Sequence, residues 1–331
     1  MIKIGDVIDG QYEILKEIGH GGMSTVYLAM DKRLNKQWAV KEIKKEGSNK
    51  NKQVVLNSLL VEAELMKKLD HPSLPRIVSI INDEQTICII MDYIEGETLE
   101  KILKEYGAQP QDIVIEWAMQ LCDVLSYLHR QNPPIIYRDM KPANIMLKPE
   151  GNLKVFDFGV AREYKEKSLA DTTILGTKGF APPEQFGSRQ TDARSDIYAL
   201  GMTMHNLLTG VDPRTPGYEY VSIRQYRPEL SDSLEYIINK CTAIDANNRY
   251  QSCDELMYDL QHIEQIEGGY KKKQRRKLGL FIASVVLTIV CAVSGLTLRI
   301  TASNMDKNNY ESLIGLSEAT SYDEKVDSYM Q

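Results

Sequence analysis

The chain has 331 residues, 43% of them hydrophobic, enough for one large domain with additional segments. It carries 46 Asp and Glu against 40 Lys and Arg, and residues 1–270 alone have a net charge of −9, which leaves no electrostatic footprint for nucleic acid. The five cysteines (Cys88, Cys122, Cys241, Cys253, Cys291) lack Cys-x-x-Cys spacing and read as reduced, mostly buried thiols in a cytosolic setting.

Met1–Gly10 is polar and carries Asp6 and Asp9, unlike a signal peptide. Tyr12–Ile18 and Thr25–Met30 are expected to be strands, with Ile18-Gly19-His20-Gly21-Gly22-Met23-Ser24-Thr25-Val26 holding the glycine-rich turn between them. Glycine lets backbone N–H groups approach a phosphate with no side chain in the way. A dinucleotide site would need a helix directly after the glycines, whereas the alternation of Val26, Leu28 and Met30 argues for a strand. A P-loop is excluded because no Gly-Lys-Ser/Thr follows.

Lys41, fifteen residues after Val26, ends the short apolar strand Trp38–Lys41, from which it could reach the α- and β-phosphates of a nucleotide. An ammonium in a largely buried strand needs a partner. Leu59–Leu69 has helical apolar spacing and stops at Asp70-His71-Pro72; within it Glu62 is assigned as that partner, and Glu64 is expected to be solvated.

Tyr137-Arg138-Asp139-Met140-Lys141-Pro142-Ala143-Asn144, followed by Asp157-Phe158-Gly159, is the most informative stretch. An acid able to accept a hydroxyl proton, a lysine two residues on, an amide five residues on and a second acid eighteen residues on form a phosphoryl-transfer layout. That layout points to movement of the γ-phosphate of ATP onto a hydroxyl.

With these motifs in order, residues 10–265 resemble a eukaryotic-type (Hanks-type) Ser/Thr protein kinase of the form found in bacteria. The resemblance implies an α+β, two-lobed fold, with a small β-rich lobe over about 10–94 and a large helical lobe over about 95–265. ATP and Mg²⁺, for which Mn²⁺ could substitute, would occupy the cleft between them.

Position by position, Gly19, Gly21 and Val26 match the glycine-rich loop, with Ser24 where a third glycine often stands. Lys41 and Glu62 match the ion pair of the active arrangement. Asp139 matches the catalytic acid and Lys141 the residue that steadies the γ-phosphate, while Asn144 and Asp157 match the metal ligands, oxygen donors suited to a hard cation. Ile89–Gly96 resembles the hinge: Met91 would back the adenine pocket and the backbone of Asp92 and Ile94 would hydrogen-bond the base. Ile18, Val26, Ala39 and Met146 would sandwich the ring.

The same resemblance makes Gly176–Glu184 the end of the activation segment, with Pro182 replacing the usual alanine. It pairs Glu184 with Arg249, and makes Asp196 the anchor of the catalytic loop. Tyr137 stands where the family usually has His and would pack under Phe158. Lys141 and Thr177 resemble the Ser/Thr-specific pattern, which implies protein substrates with Ser or Thr acceptors. Arg138, directly before Asp139, implies a phosphate on the activation segment at Thr172 or Thr173, with Ser168 a lesser candidate. A pseudokinase scaffold is the competing reading; it would normally lack one of Lys41, Glu62, Asp139, Asn144 and Asp157, and all five are present.

After Gly268-Gly269 the character of the chain changes. The linker 266–277 holds six positive charges between Lys271 and Lys277, and Leu278–Leu298 then runs 21 residues without a charge. As a helix that run is about 31 Å long, enough to cross a hydrocarbon core. It is expected to be a single transmembrane helix whose basic flank, held to anionic lipid, keeps the kinase-like domain cytoplasmic and places 299–331 outside. Gly279 and Ala283 would let two helices approach in a homodimer. Arg299–Gln331 is too short for a core of its own; the start of a helical repeat and a bare tail both remain open.

Overall fold

The computed structural model of the protein describes residues 2–20, 24–45, 60, 63–157, 162–163, 177–186 and 191–329. They fall into two units, Met1–Glu267 and Gly268–Gln331.

The first unit begins with an antiparallel sheet built from β1 (Val7–Ile8), β2 (Tyr12–His20), β3 (Ser24–Asp31), β4 (Lys36–Lys44), β5 (Ile77–Asn82) and β6 (Thr86–Asp92), in the order β1-β2-β3-β4-β6-β5. Side chains alternate across the sheet with the period of two that strands impose. Tyr12, Ile14, Tyr27, Trp38, Val40, Cys88 and Ile90 bury one face in a cluster of their own. Ile43, Ile87 and Ile89 join the larger core with Ala63 and Met66. Lys41 lies opposite Ile89, and Ala39 opposite Met91, so the lysine and the hinge start on neighbouring strands.

Residues 60 and 63–66 are helical, and Glu64 is exposed as expected. The helix stops sooner than the predicted Leu69. After Lys67 N→Ala63 O the bonds tighten to Lys68 N→Leu65 O and Leu69 N→Met66 O, the short-range turns with which helices commonly end.

The helical lobe holds α1 (Leu99–Tyr106), α2 (Gln111–His129), α3 (Ala193–Thr209), α4 (Ile223–Tyr226), α5 (Asp232–Cys241) and α6 (Cys253–Gln261). Small strands β7 (Glu97–Thr98), β9 (Ile145–Leu147) and β10 (Leu153–Val155) form a second sheet, and β8 (Ile135–Ile136) pairs with β11 (Arg162–Glu163). Helix starts are set by side chains that satisfy otherwise orphaned N–H groups. Thr98 accepts from Lys101 N, Ser231 from Leu234 N and Ser252 from Glu255 N; Asp192 and Ser195 make a reciprocal capping box at α3.

Helix α3 is buried along nearly its whole length and forms the axis of this lobe. At Gly201 a Cβ would stand 2.5 Å from Cys241 Cβ and 3.0 Å from Thr242 Cγ2, so α3 and the end of α5 touch backbone to side chain. Gly201→Ala is therefore expected to destabilise the domain by about 1–3 kcal/mol through overpacking, although alanine is the better helix former. A urea unfolding curve that matches the parent would contradict this.

Cys88, Cys122, Cys241 and Cys253 are buried, as expected, and Cys291 is exposed. In the second unit the chain is helical through Tyr329, within α7 (Ile263–Tyr329). The segment after Leu298 is thus helical as far as Tyr329. Among the described residues one helical stretch, Gly279–Ile314, is long and apolar enough to cross a membrane; its most apolar 18 residues have a mean hydropathy of 2.4 and none of them is buried.

Candidate active site

Asp139 follows β8 and precedes the 3₁₀ turn Pro142–Asn144. Its loop is held from below by Asp196 on α3, which accepts Tyr137 N–H at 2.9 Å and Arg138 N–H at 2.7 Å. His129 Nε2, at the end of α2, lies 2.8 Å from the same carboxylate. Gln185 Nε2 donates to Arg138 O at 3.0 Å. These contacts hold Arg138 at φ 71°, a left-handed backbone that a non-glycine residue adopts only where its surroundings fix it. Tyr137 is fully buried, donates its hydroxyl to Phe156 O at 2.7 Å, and burial pushes its ionisation well above the ordinary value.

Above this floor the polar groups converge. Asp139 Oδ1 accepts the Thr177 hydroxyl at 2.7 Å, and Asp139 Oδ2 accepts Lys141 Nζ at 2.7 Å and Asn144 Nδ2 at 2.8 Å. Lys141 Nζ also reaches Thr177 Oγ1 at 2.7 Å, closing a triangle of acid, ammonium and hydroxyl. Asn144 Nδ2 donates as well to Asp139 O at 3.0 Å. Both amide hydrogens point at Asp139, so the Asn144 oxygen is left as an acceptor.

Lys41 Nζ donates to Asp157 Oδ1 at 2.9 Å. Asp157 takes φ 63°, and its side chain is about half exposed to the cleft. Among the described residues, then, Lys41 has Asp157 as its partner; the predicted partner Glu62 lies outside them, as do Gly21, Phe158, Ser168, Thr172 and Thr173.

Lys41 and Asp157 line a cleft of about 490 Å³. Ile18, Gly19, Val26, Ala39, Lys41, Met91, Asp92, Ile94, Met146 and Asp157 all line it, which puts the sequence-derived residues of two lobes around one cavity. Gly19 sits opposite Val26 where β2 pairs with β3, after a register shift between Glu17 and Gly19. The cavity walls are mainly apolar and include the charged Lys41 and Asp157, which suits a flat ring carrying a polyanionic tail.

Some contacts were not legible in the motifs. The Asp92 carboxylate is held by Arg76 N and Nε, both at 3.1 Å, and by Lys36 Nζ at 3.3 Å, which fixes the hinge from β4 and from the residue just before β5. Burial works to raise the Asp92 pKa, but these donors outweigh it and hold the group below its ordinary value. His129 beneath Asp196 was also missed. Its only sequence signal is a histidine closing a long apolar helix eight residues before Tyr137.

Further out, the pair expected of Glu184 and Arg249 is present and doubly bonded, Nη1 to Oε1 at 2.6 Å and Nη2 to Oε2 at 2.9 Å. Arg249 also donates to the carbonyls of Ala243, Ile244 and Arg194, and its side chain is wholly buried. A fork that meets a carboxylate and three carbonyls leaves no donor wasted in the interior.

Comparison with known proteins agrees with this geometry. The chain is 33% identical over 273 residues to the probable serine/threonine-protein kinase CPE1738 of Clostridium perfringens, covering 79% of this chain and 39% of that protein. It is 32% identical to the serine/threonine-protein kinase PrkC of Bacillus subtilis over 271 residues, covering 78% and 41% respectively. To the serine/threonine-protein kinase PknB of Mycobacterium tuberculosis it is 32% identical over 274 residues, covering 77% and 43%. The chain thus spans well under half the length of these relatives. Residues 12–260 match the protein kinase domain, and the chain belongs to the protein kinase family.

Proposed function

We propose that the chain is an ATP-dependent Ser/Thr protein kinase carried on the cytoplasmic side of a membrane by its apolar helix. The observation that carries the reading is the Asp139–Lys141–Thr177 triangle, together with the Lys41–Asp157 pair that lines the apolar cleft. A hydroxyl already sits on Asp139 Oδ1, that of Thr177, so the carboxylate is reachable by an alcohol of this kind. In the reaction the acceptor oxygen attacks the γ-phosphorus, its proton passes to Asp139, and the bond to the departing ADP breaks. Lys141 offsets the negative charge at the transferred group, and Lys41 holds the α- and β-phosphates.

The Asp157 carboxylate and the Asn144 carbonyl oxygen are hard donors, and the residues fit a cation such as Mg²⁺ or Mn²⁺. Bound there, the cation would neutralise phosphate charge. The adenine ring would lie between Ile18, Val26, Ala39 and Met146, against the backbone of Asp92 and Ile94.

Within this reading, residues 10–265 are the kinase domain, 266–277 a basic linker that meets anionic lipid, 278–298 the membrane span and 299–331 the extracytoplasmic part. Thr172 and Thr173 are the sites of autophosphorylation, in trans within a homodimer, and similarity to kinases named for Ser/Thr supports that acceptor class. Incubation with ATP and Mg²⁺, followed by mapping of phosphate by mass spectrometry, tests it. Phosphate on Ser or Thr is the expected outcome; phosphate on Tyr alone, or nucleotide binding with no transfer, overturns it.

A further inference from the structure

Two residues beyond Thr177, Gly179 has φ 92°, and a Cβ placed there would stand 2.6 Å from the carbonyl carbon of Pro213 and 3.0 Å from its Cβ. Thr177–Ala181 is a tight turn: Phe180 N and Ala181 N both donate to Thr177 O at 3.1 Å. The turn is therefore pressed against buried Pro213 at the one position where it has no side chain.

Pro213 is itself held on both sides. Before it, Asn206 Nδ2 on α3 donates to Val211 O at 2.8 Å. After it, Arg214 is locked to Asp212 by three guanidinium contacts of 2.7–3.0 Å and to Glu100 of α1 by Nη2 at 2.7 Å. Four carboxylate contacts on one guanidinium leave Arg214 committed to structure and not to ligand. Its role is to fix the chain next to Pro213.

We infer that Gly179 is a positioning residue for phosphoryl transfer: by seating the 177–181 turn on Pro213, which Arg214 braces against α1, it sets the Thr177 hydroxyl on Asp139 and the shelf that presents the acceptor. The inference rests on the kinase reading for what is presented. Its geometry stands apart from it. A side chain at 179 must lift the turn away from Pro213, and Thr177, two residues away, leaves Asp139 with it.

The test uses the full chain in detergent, with Gly179→Ala and Arg214→Met beside the parent. Amide hydrogen exchange over 177–181 is expected to quicken in both, more in Gly179→Ala. Transfer to myelin basic protein is expected to fall about 10- to 100-fold in Gly179→Ala, the size of effect that a small misplacement near the reacting groups produces, and less in Arg214→Met. Affinity for a fluorescent ATP analogue should stay within about twofold, since the seat lies outside the nucleotide cleft. Unchanged exchange overturns the seat, and so does a loss of nucleotide affinity parallel to the loss of transfer, which would mark general unfolding. Should Gly179→Ala fail to fold, exchange in Arg214→Met decides alone. A parent that binds nucleotide but transfers nothing defeats the kinase reading, while the exchange comparison still decides the seat.

Discussion

Asp139→Asn is expected to lower phosphoryl transfer by about 10²- to 10⁴-fold, the range for removing a positioned general base, while nucleotide affinity is kept. The separation follows from the contacts. Asp139 faces the Thr177 hydroxyl and Lys141, whereas the cleft walls and Lys41 belong to other elements. The amide of the variant can still accept from one donor, so the loop remains held by Asp196 through Tyr137 N and Arg138 N. What it loses is the charge that accepts a proton and that Lys141 answers. Transfer measured with radiolabelled ATP, beside binding of a fluorescent analogue, checks both halves; a variant that transfers as fast as the parent would remove Asp139 from the mechanism.

Arg249→Met is the substitution with the largest expected effect on stability, about 3–5 kcal/mol, because it leaves the Glu184 charge buried without its partner. Glu184 is little exposed, and without Arg249 it keeps the Ser195 hydroxyl at 2.9 Å and its own backbone N–H as donors. Burial alone would raise the Glu184 pKa; hydrogen bonds from Arg249 outweigh that and hold it below the ordinary 4.5. A carboxyl depressed in the folded state contributes stability that is fully present above its unfolded value and is lost as the pH falls through the folded one. The parent should therefore lose this contribution below about pH 4.5, whereas in Arg249→Met, where burial now dominates, the deficit relative to the parent should shrink on acidification. Urea unfolding of both proteins at pH 7 and at pH 4 measures it, and an Arg249→Met deficit that is constant with pH would rule out the Glu184 charge as its source.

How much of this was readable beforehand divides along physical lines. Asp139, Lys141 and Asn144 lie within six residues, so their convergence is written in local geometry and a single turn of 3₁₀ helix brings it about. The strands around Lys41 and the hinge were legible from period-two alternation and from the apolar run Ile87–Met91. The approach of Lys41 to Asp157, 116 residues apart, depends on how two lobes close and leaves no periodic trace. The same holds for Pro213 under Gly179 and for Arg76 and Lys36 around Asp92, where the signal is only a charge on each of several distant segments. Early termination of the helix after Met66 was missed because apolar spacing continues to Leu69 while the hydrogen bonding has already tightened.

The distribution of sulfur has a practical consequence. Burial raises the pKa of Cys88, Cys122, Cys241 and Cys253 and keeps them as inert thiols in the folded domain. Cys291 alone stands on the surface of the apolar helix. Within these residues a thiol probe apolar enough to enter the bilayer thus has one accessible target, and it reports the surroundings of that helix with no cysteine removed from the domain.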